Sequence, residues 1–424
     1  MKKDRPQPTR RTQGTYKHAL SVTGQIFFCA APIRLDSYDT CQFGCTYCFS
    51  RDRARAWASK GIHQANPVAF RQRMERVARG EIASAVDEFL ARRVPLQLGG
   101  LQDPFTPIER ELGVTRGVLE TLRDFQYPTL ISTKGALLLT EPYLTLLSEM
   151  NVVVRLSAAG IREHLRKIVE PRSDGFETTV DRLTRLSDKG ITCGLRIQPI
   201  FPGFEEEALA MATAAARAGA KQLSFEYLKI PGEIVSTEIA AASKALGYDI
   251  VEHMRAMGVK RLGPDWSLSP DAKRPFVRKA RSLSRSLGVK FGAGDTEFIP
   301  WSDGNGCCGA SELTQDGANH FTANFVGAIR ASLAKPDKKV RFETLLELWS
   351  PEQSIGNYMD WRRRIPVDQR GGYSDWLAIV SRRWNGGKSP YSPAFFDGVV
   401  ATAETDDNGF RIYDASELAR ELGN

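Results

Sequence analysis

Short apolar runs alternate with longer amphipathic stretches from residue 33 onward, and no other feature of the chain constrains its fold as much. Runs at 33–35, 95–99, 129–133, 152–157, 192–200, 222–227 and 289–292 read as strands. Patterns at 69–93, 108–126, 141–149, 177–189, 205–219 and 271–287 read as helices. Strand followed by helix, repeated about six times, predicts an α/β fold with a parallel sheet, here a partial (β/α)6-type TIM-like barrel. In such sheets the chemistry gathers at the carboxyl ends of the strands. Gly99-Gly100, Ser132-Thr133-Lys134, Arg155 through Ser157 and Arg196 through Pro199 all fall at the ends of apolar runs.

Period-two alternation then sorts the strand side chains. Arg155 and Ser157 share a face, as do Gly194, Arg196 and Gln198, and Gln222, Ser224 and Glu226. Cys193 points the other way, toward the outer helices, as a packing thiol. Faces of Arg, Ser, Gln and Glu are too polar for a barrel core and predict the lining of a cavity. Arg155 and Arg196 there either hold a phosphate or carboxylate or pair with Glu226, Glu170 or another acid. Asp295 and Glu297 follow the last strand and read either as groups that orient hydroxyls or as solvated loop acids. The candidate substrate contacts are Arg155, Glu226 and Asp295.

The 424 residues suffice for one large domain with an appendage, or for two domains. Residues 1–20, with Lys2, Lys3, Arg5, Arg10, Arg11 and Lys17, read as a basic flexible arm. Residues 21–305 hold the barrel. Residues 306–424 form a C-terminal appendage with substrate binding as its candidate role. Within it, 320–333 and 341–349 look helical, and a strand and helix close the chain between 410 and 422. No apolar run is long enough to span a bilayer. The apolar run at 26–31 reads as a buried strand leading into the site, not as a signal core.

Seven cysteines are an odd number, and three of them crowd into Cys41-Gln-Phe-Gly-Cys45-Thr-Tyr-Cys48. That is a metal pattern rather than a disulfide framework. Zinc ordinarily takes four ligands, often in two separated pairs, and no fourth Cys or His lies near. Three thiolates hold three irons of a cubane cluster and leave the fourth iron open to a small ligand. Cys41, Cys45 and Cys48 are therefore read as ligands of a [4Fe-4S] cluster, a labile group that favours the reducing cytoplasm. Tyr47 adds an aromatic face on which an adenine can stack.

With this loop the chain resembles the radical S-adenosylmethionine superfamily. Leu98-Gly99-Gly100 is similar to the superfamily's glycine-rich segment, which binds the amino group of the cofactor's methionine part. A narrower resemblance is to the spore photoproduct lyase-like branch. It rests on Asp103 through Glu109, Ser132-Thr133-Lys134, Arg155-Leu156-Ser157, Glu170-Pro171 and Gln198 through Gly203, and covers about residues 26–230. The resemblance implies that Lys134 pairs with the cofactor carboxylate and that Ser157 hydrogen-bonds its polar atoms. The cofactor contacts are then Tyr47, Gly99, Gly100, Lys134, Ser157 and Arg196. One departure is informative. The lyase carries a hydrogen-donating cysteine where this chain has Gly100, so hydrogen return by that route is not expected.

Cys307 and Cys308, in a glycine-rich loop after the last strand, are candidate hydrogen donors in its place. Two other readings stand beside this one: buried packing thiols, or ligands of a second cluster with Cys29 and Cys193. The net charge of +8 suits an acidic partner. So do Lys273, Arg274, Arg278, Lys279, Arg281 and Arg285 on one helical stretch, Trp361 with Arg362 to Arg364, and Arg382-Arg383-Trp384, although a basic helix is more often a solvated face. The resemblance implies an enzyme that reductively cleaves S-adenosylmethionine to a 5′-deoxyadenosyl radical, which abstracts hydrogen from a substrate. A nucleic acid base or nucleotide is the leading substrate class, and a peptide or small molecule the alternative. The reading from another class is a non-catalytic iron–sulfur protein that binds nucleic acid. The implied partner is a reductase or a flavodoxin- or ferredoxin-type electron donor.

Overall fold

The structure, a computed structural model, describes residues 14–16, 19–48, 50, 62–231, 237–262, 265–313, 318–348, 380–386 and 391–423. Its centre is one sheet of eight strands: β1 (Leu20–Val22), β2 (Ile33–Leu35), β3 (Leu96–Leu98), β4 (Thr129–Thr133), β5 (Val152–Gly160), β6 (Thr192–Ile200), β7 (Gln222–Tyr227) and β8 (Lys290–Ala293). Each strand lies beside its neighbours in sequence. β1 is antiparallel to β2, and every other pairing is parallel. Sequential parallel order, with a helix on each return, winds the sheet one way. β1 and β8 do not pair, so the barrel is partial and open. The seven parallel strands coincide with the seven apolar runs of the sequence.

The outer helices include α1 (Pro67–Ala78), α2 (Val114–Asp124), α3 (Phe176–Asp188), α4 (Glu205–Arg217) and α5 (Pro270–Ser286). Asn66 caps α1 and Ser269 caps α5, each accepting a backbone N–H, with proline at the first helical turn. Two helical patterns break where glycine turns the chain. Gly80 has φ +81° after α1, ahead of the short helix Ala85–Ala91, and Gly113 has φ +61° between Glu109–Leu112 and α2. The apolar run at 26–31 is not a strand. Thr23 accepts the N–H of Gln25 and starts a 3₁₀ turn over Gly24–Phe27, whose apolar side chains are buried. A short run that burial does not distinguish from a strand was decided by its cap.

Contacts orient the strand faces. The Phe225 ring meets Phe276 of α5, and the Cys193 thiol faces the Leu183 carbonyl of α3, so odd positions of β6 and β7 point outward. Arg155 and Ser157, Gly194 and Arg196, and Gln222, Ser224 and Glu226 therefore face the barrel interior. Arg155 lies in mid-strand rather than at a strand end, because β5 continues to Gly160.

The C-terminal part contains α6 (Phe325–Leu333) and a three-stranded antiparallel sheet ordered Lys339–Val340, Arg411–Asp414, Val400–Thr405. Its aromatic residues enter the same apolar core as the barrel: Phe325 stacks on Phe27 at 5.7 Å and meets Trp384 at 5.9 Å. Trp384 is fully buried and donates to the Arg411 carbonyl, so this tryptophan is a core residue. Trp361 and Arg362 to Arg364, like residues 1–13, lie outside the described residues.

The basic stretch on α5 is spoken for. Arg274 clasps Asp397, Arg278 pairs with Glu421, Lys279 with Glu206 and Arg285 with Asp303. Arg281 donates to the carbonyls of Glu421 and Leu422, and Lys273 is buried between Asp295 and Glu297. Much of this charge docks the C-terminal helix Ser416–Leu422 and its surroundings onto the barrel. Among the described residues no helix is long and apolar enough to cross a membrane.

Candidate active site

The cysteine loop follows β2 at the carboxyl end of the sheet, and two segments clamp it. From one side, Thr106 Oγ1 accepts the N–H of Gln42 at 3.0 Å, and Gln42 Oε1 accepts the N–H of Ile108 at 2.7 Å. From the other, Arg172 donates to the Gln42 carbonyl, and the Thr46 N–H to the Val169 carbonyl. Gly44 takes φ +70°, a left-handed bend that lets the loop fold back between Cys41 and Cys45. The clamps are themselves held by buried carboxylates. Asp103 accepts from Thr133 Oγ1 and from the N–H groups of Phe105 and Lys134, and Glu109 from Tyr38, Tyr143 and the N–H groups of Thr115 and Arg116. The Asp103–Glu109 motif thus builds the site rather than entering it.

Cys41, Cys45 and Cys48 lie on this one loop, each next thiol within electrostatic reach of the last. Burial pushes the Cys41 and Cys45 thiols up to about 12, the Cys41 thiol further by Asp103, while Lys134 pulls the Cys45 thiol down. Among the described residues no three His, Cys, Asp or Glu side chains close around a single ion.

Beside the loop the structure assembles Tyr47, Lys134, Ser157 and Glu170. Lys134 Nζ donates to Glu170 Oε1 at 2.6 Å, to the Ser157 carbonyl at 3.0 Å and to Ser157 Oγ at 3.4 Å. Tyr47 also donates to Glu170 Oε1, and its ring stands edge-on to Phe201. Glu170 further accepts the Ala159 N–H and lies 3.6 Å from Arg166. Burial alone would raise its carboxyl. The Lys134 and Arg166 cations outweigh that and hold it below the ordinary value. Lys134 is therefore a cation already matched by a buried acid.

Gly99 and Gly100 end β3. Gly99 has φ +84°, and a Cβ there would stand 2.6 Å from the Ser132 carbonyl oxygen. A Cβ on Gly100 would stand 2.3 Å from Arg34 Cδ. The aliphatic stem of Arg34 thus fills the space that any side chain at position 100 would need.

Toward the carboxyl ends of β6 and β7, Arg196 pairs with Glu226 at 2.9 Å, and Glu226 also takes Lys229 at 2.6 Å. Asp295 accepts the N–H of Tyr227 and the ammonium of Lys273, which also reaches Glu297. Asp295 and Glu297 are buried, not solvated loop acids. Arg155 is different: its guanidinium donates to Ser132 Oγ at 2.7 Å, and among the described residues it has no carboxylate partner. The loop 304–313 closes the barrel floor beneath it. Cys308, Ala310 and Leu313 pack on Ala31, Leu130 and Val153, and Gln222 donates to the Gly306 carbonyl. Cys307 and Cys308 thus reach the interior from below, within electrostatic reach of Arg155, and Cys29 joins them. Burial, then Cys308, push the Cys307 thiol up to about 11. Cys193 takes no part, since it faces α3.

Sequence reasoning placed these residues separately. It missed that Glu170 ties Tyr47 to Lys134 and that Arg155 and Arg196 differ in pairing; of the two cysteines it set beside Cys307 and Cys308, the structure brings Cys29 to them and not Cys193. The Glu170-Pro171 dipeptide was the only available signal for the tie through Glu170.

An open parallel α/β barrel with a tri-cysteine loop at the carboxyl ends of its strands is the class that fold and site define. No protein-family model matches the chain. An uncharacterized protein of Methanocaldococcus jannaschii is 25% identical over 169 residues, which are 40% of this chain and 60% of that protein. The chain thus matches less than two thirds of that relative's length. Among solved structures, spore photoproduct lyase complexed with a dinucleoside spore photoproduct is similar with a TM-score of 0.49 and 14% identity, covering 66% of this chain and 80% of that one. Streptococcus suis SuiB bound to its precursor peptide SuiA is similar with a TM-score of 0.38 and 12% identity, covering 63% of this chain and 49% of that one. At such identities the chemistry of the site rests on its own residues.

Proposed function

We propose that the chain is a radical S-adenosylmethionine enzyme. The observation that carries this reading is the juxtaposition, at one end of a parallel barrel, of a tri-cysteine loop with Lys134, Ser157 and Tyr47. Cys41, Cys45 and Cys48 would hold a [4Fe-4S] cluster that, with S-adenosylmethionine bound and an electron from a flavodoxin- or ferredoxin-type donor, would supply 5′-deoxyadenosyl radical chemistry. The remaining work falls to the protein. Lys134 is a point cation for the cofactor carboxylate, and Glu170 aims it. The turn at Gly99 brings backbone N–H groups to the cofactor's methionine part. Ser157 offers a hydroxyl at the mouth of the barrel. The interior below holds the substrate dry and close to the reacting carbon. With Gly100 covered by Arg34, hydrogen return is assigned to the floor, with Cys307 as donor. A nucleotide or nucleic acid base remains the leading substrate class on net charge, although α5 offers no unpaired cationic face.

Anaerobic reconstitution followed by reduction tests the reading. Wild-type protein is expected to form 5′-deoxyadenosine, and Cys45→Ala to form none and to lose the cluster's visible absorbance. An intact cluster with bound cofactor and no 5′-deoxyadenosine would leave the non-catalytic alternative standing. Binding of DNA or RNA that weakens steeply with salt would support the nucleic acid class.

A further inference from the structure

Arg155 presents a physical problem. Its side chain is buried in the barrel interior, 4% exposed as a residue, yet among the described residues no acid pairs with it. Among the described residues its Nε has no acceptor, and its guanidinium has the neutral hydroxyl of Ser132 as its one hydrogen-bond partner. Buried charges in proteins are paired or bound to a ligand, because an uncompensated one is strongly destabilising. The neighbouring charges make matters worse. Arg196 stands on the adjacent strand, and the acids nearby are already committed, Glu226 to Arg196 and Lys229, and Asp295 to Lys273. The thiols of Cys29, Cys307 and Cys308 lie within electrostatic reach of Arg155, and burial raises those of Cys29 and Cys307.

A second buried group shares the predicament. Ser224 Oγ, on the inward face of β7, is buried and has no hydrogen-bond partner among the described residues. The register places Arg155 level with Gly194 and Gln222, so Ser224 lies one inward position further toward the carboxyl ends. Gly194, with no side chain, separates the two strands at this level. The Arg155 guanidinium and the Ser132 hydroxyl it holds face the barrel interior above the thiol floor, and the Ser224 hydroxyl faces the same interior two strands away, level with Ser157 and Arg196. They are a donor set in need of an acceptor, and one net positive charge is left to neutralise.

We infer that this interior position is an oxyanion site, and that the substrate carries a monoanionic oxyanion, a carboxylate or a phosphodiester, which docks on Arg155 with Ser132 and Ser224. A single unpaired guanidinium matches one negative charge and presents two parallel N–H groups to two oxygens. Docking there sets the reacting carbon above the anion, toward the cofactor, and leaves Cys307 close beneath it. The inference rests on the reading of the site as an enzyme's, since it names that enzyme's substrate class. It also explains why Arg155 has survived unpaired: its counter-ion arrives with the substrate.

The experiment is a thermal melt of the cluster-loaded protein under anaerobic conditions, in acetate, dimethyl phosphate or chloride at equal ionic strength. Acetate or dimethyl phosphate is expected to raise the wild-type melting temperature over chloride, on the order of 1–3 °C at concentrations above the dissociation constant. Whichever of the two does so identifies the oxyanion. Arg155→Met is expected to show no such gain and, in chloride, to melt no lower than wild type, because it removes a buried unpaired charge. Ser224→Ala is expected to keep its fold and lose part of the gain. The inference is overturned if the wild type gains no more than Arg155→Met, or if Arg155→Met melts lower in chloride or fails to fold, since the guanidinium is then structural. 5′-Deoxyadenosine formation by the wild type is scored separately. Its absence would sink the enzyme reading without touching the melts, and its presence alongside flat melts would sink only the oxyanion site.

Discussion

Glu170 is the residue on which the candidate cofactor end turns. It accepts from Lys134, Tyr47 and the Ala159 N–H at once, so removing its charge leaves a buried ammonium facing a neutral amide. Glu170→Gln is expected to cost about 3 kcal/mol at neutral pH, read as a lower urea midpoint at unchanged slope. The pH dependence has a definite sign. The folded carboxyl is held below its ordinary value of 4.5, so its stabilisation is complete above that pH and is lost as pH falls through the folded value. Wild-type stability should therefore drop more steeply than that of Glu170→Gln below pH 4.5, and parallel curves on the acid side would contradict this. At this scale the sequence was partly legible. Cysteine spacing singled out the three candidate cluster ligands without any structure, because three thiols on eight residues have few other uses. Partner choice was not legible: nothing in the local pattern distinguishes Arg196, which has Glu226, from Arg155, which has none.

Elements show where periodicity carries information and where it stops. Alternation in β5, β6 and β7 sorted inward from outward side chains correctly, since a pleated strand leaves no third option. Helical patterns overran Gly80 and Gly113, whose left-handed backbones end helices that the apolar spacing alone would continue. The Lys273 ammonium looked like one of many cations on a basic helix, yet it is fully buried between Asp295 and Glu297 and ties α5 to the end of β8. Among the described residues, Lys273→Met would leave the buried Glu297 without a cation and Asp295 with Lys229 alone, 4.0 Å away. Its expected cost is about 3–5 kcal/mol, seen as a melting temperature well below that of Lys279→Met, whose partner Glu206 is exposed. Equal melting temperatures for the two variants would refute the structural role assigned to Lys273. The cysteine loop has its own test. Gly44→Ala forces a Cβ into a backbone at φ +70° and is expected to cost about 1 kcal/mol and to lower iron retention on dilution, with the barrel's circular dichroism unchanged.

As a whole molecule, the barrel was legible from the strand–helix repeat, because each repeat buries one strand against its neighbours and one helix against the sheet. The C-terminal part was less so. Its attachment runs through ring contacts such as Phe27 with Phe325 and through Arg274 with Asp397, pairs separated by more than a hundred residues that leave no periodic trace. A chain ending at residue 323 would expose Phe27 and the core around Trp301. It is expected to aggregate or to melt without cooperativity, as judged by gel filtration and calorimetry. A monomeric, cooperative product would show that the barrel stands alone.

The floor loop carries a further consequence. The same ten residues, 304–313, close the bottom of the barrel and carry Cys307 and Cys308. In evolutionary terms, the depth of the barrel interior and the two thiols at its floor are inherited as one unit. A single insertion or deletion there would alter both together, while the cysteine loop at the opposite end went on unchanged.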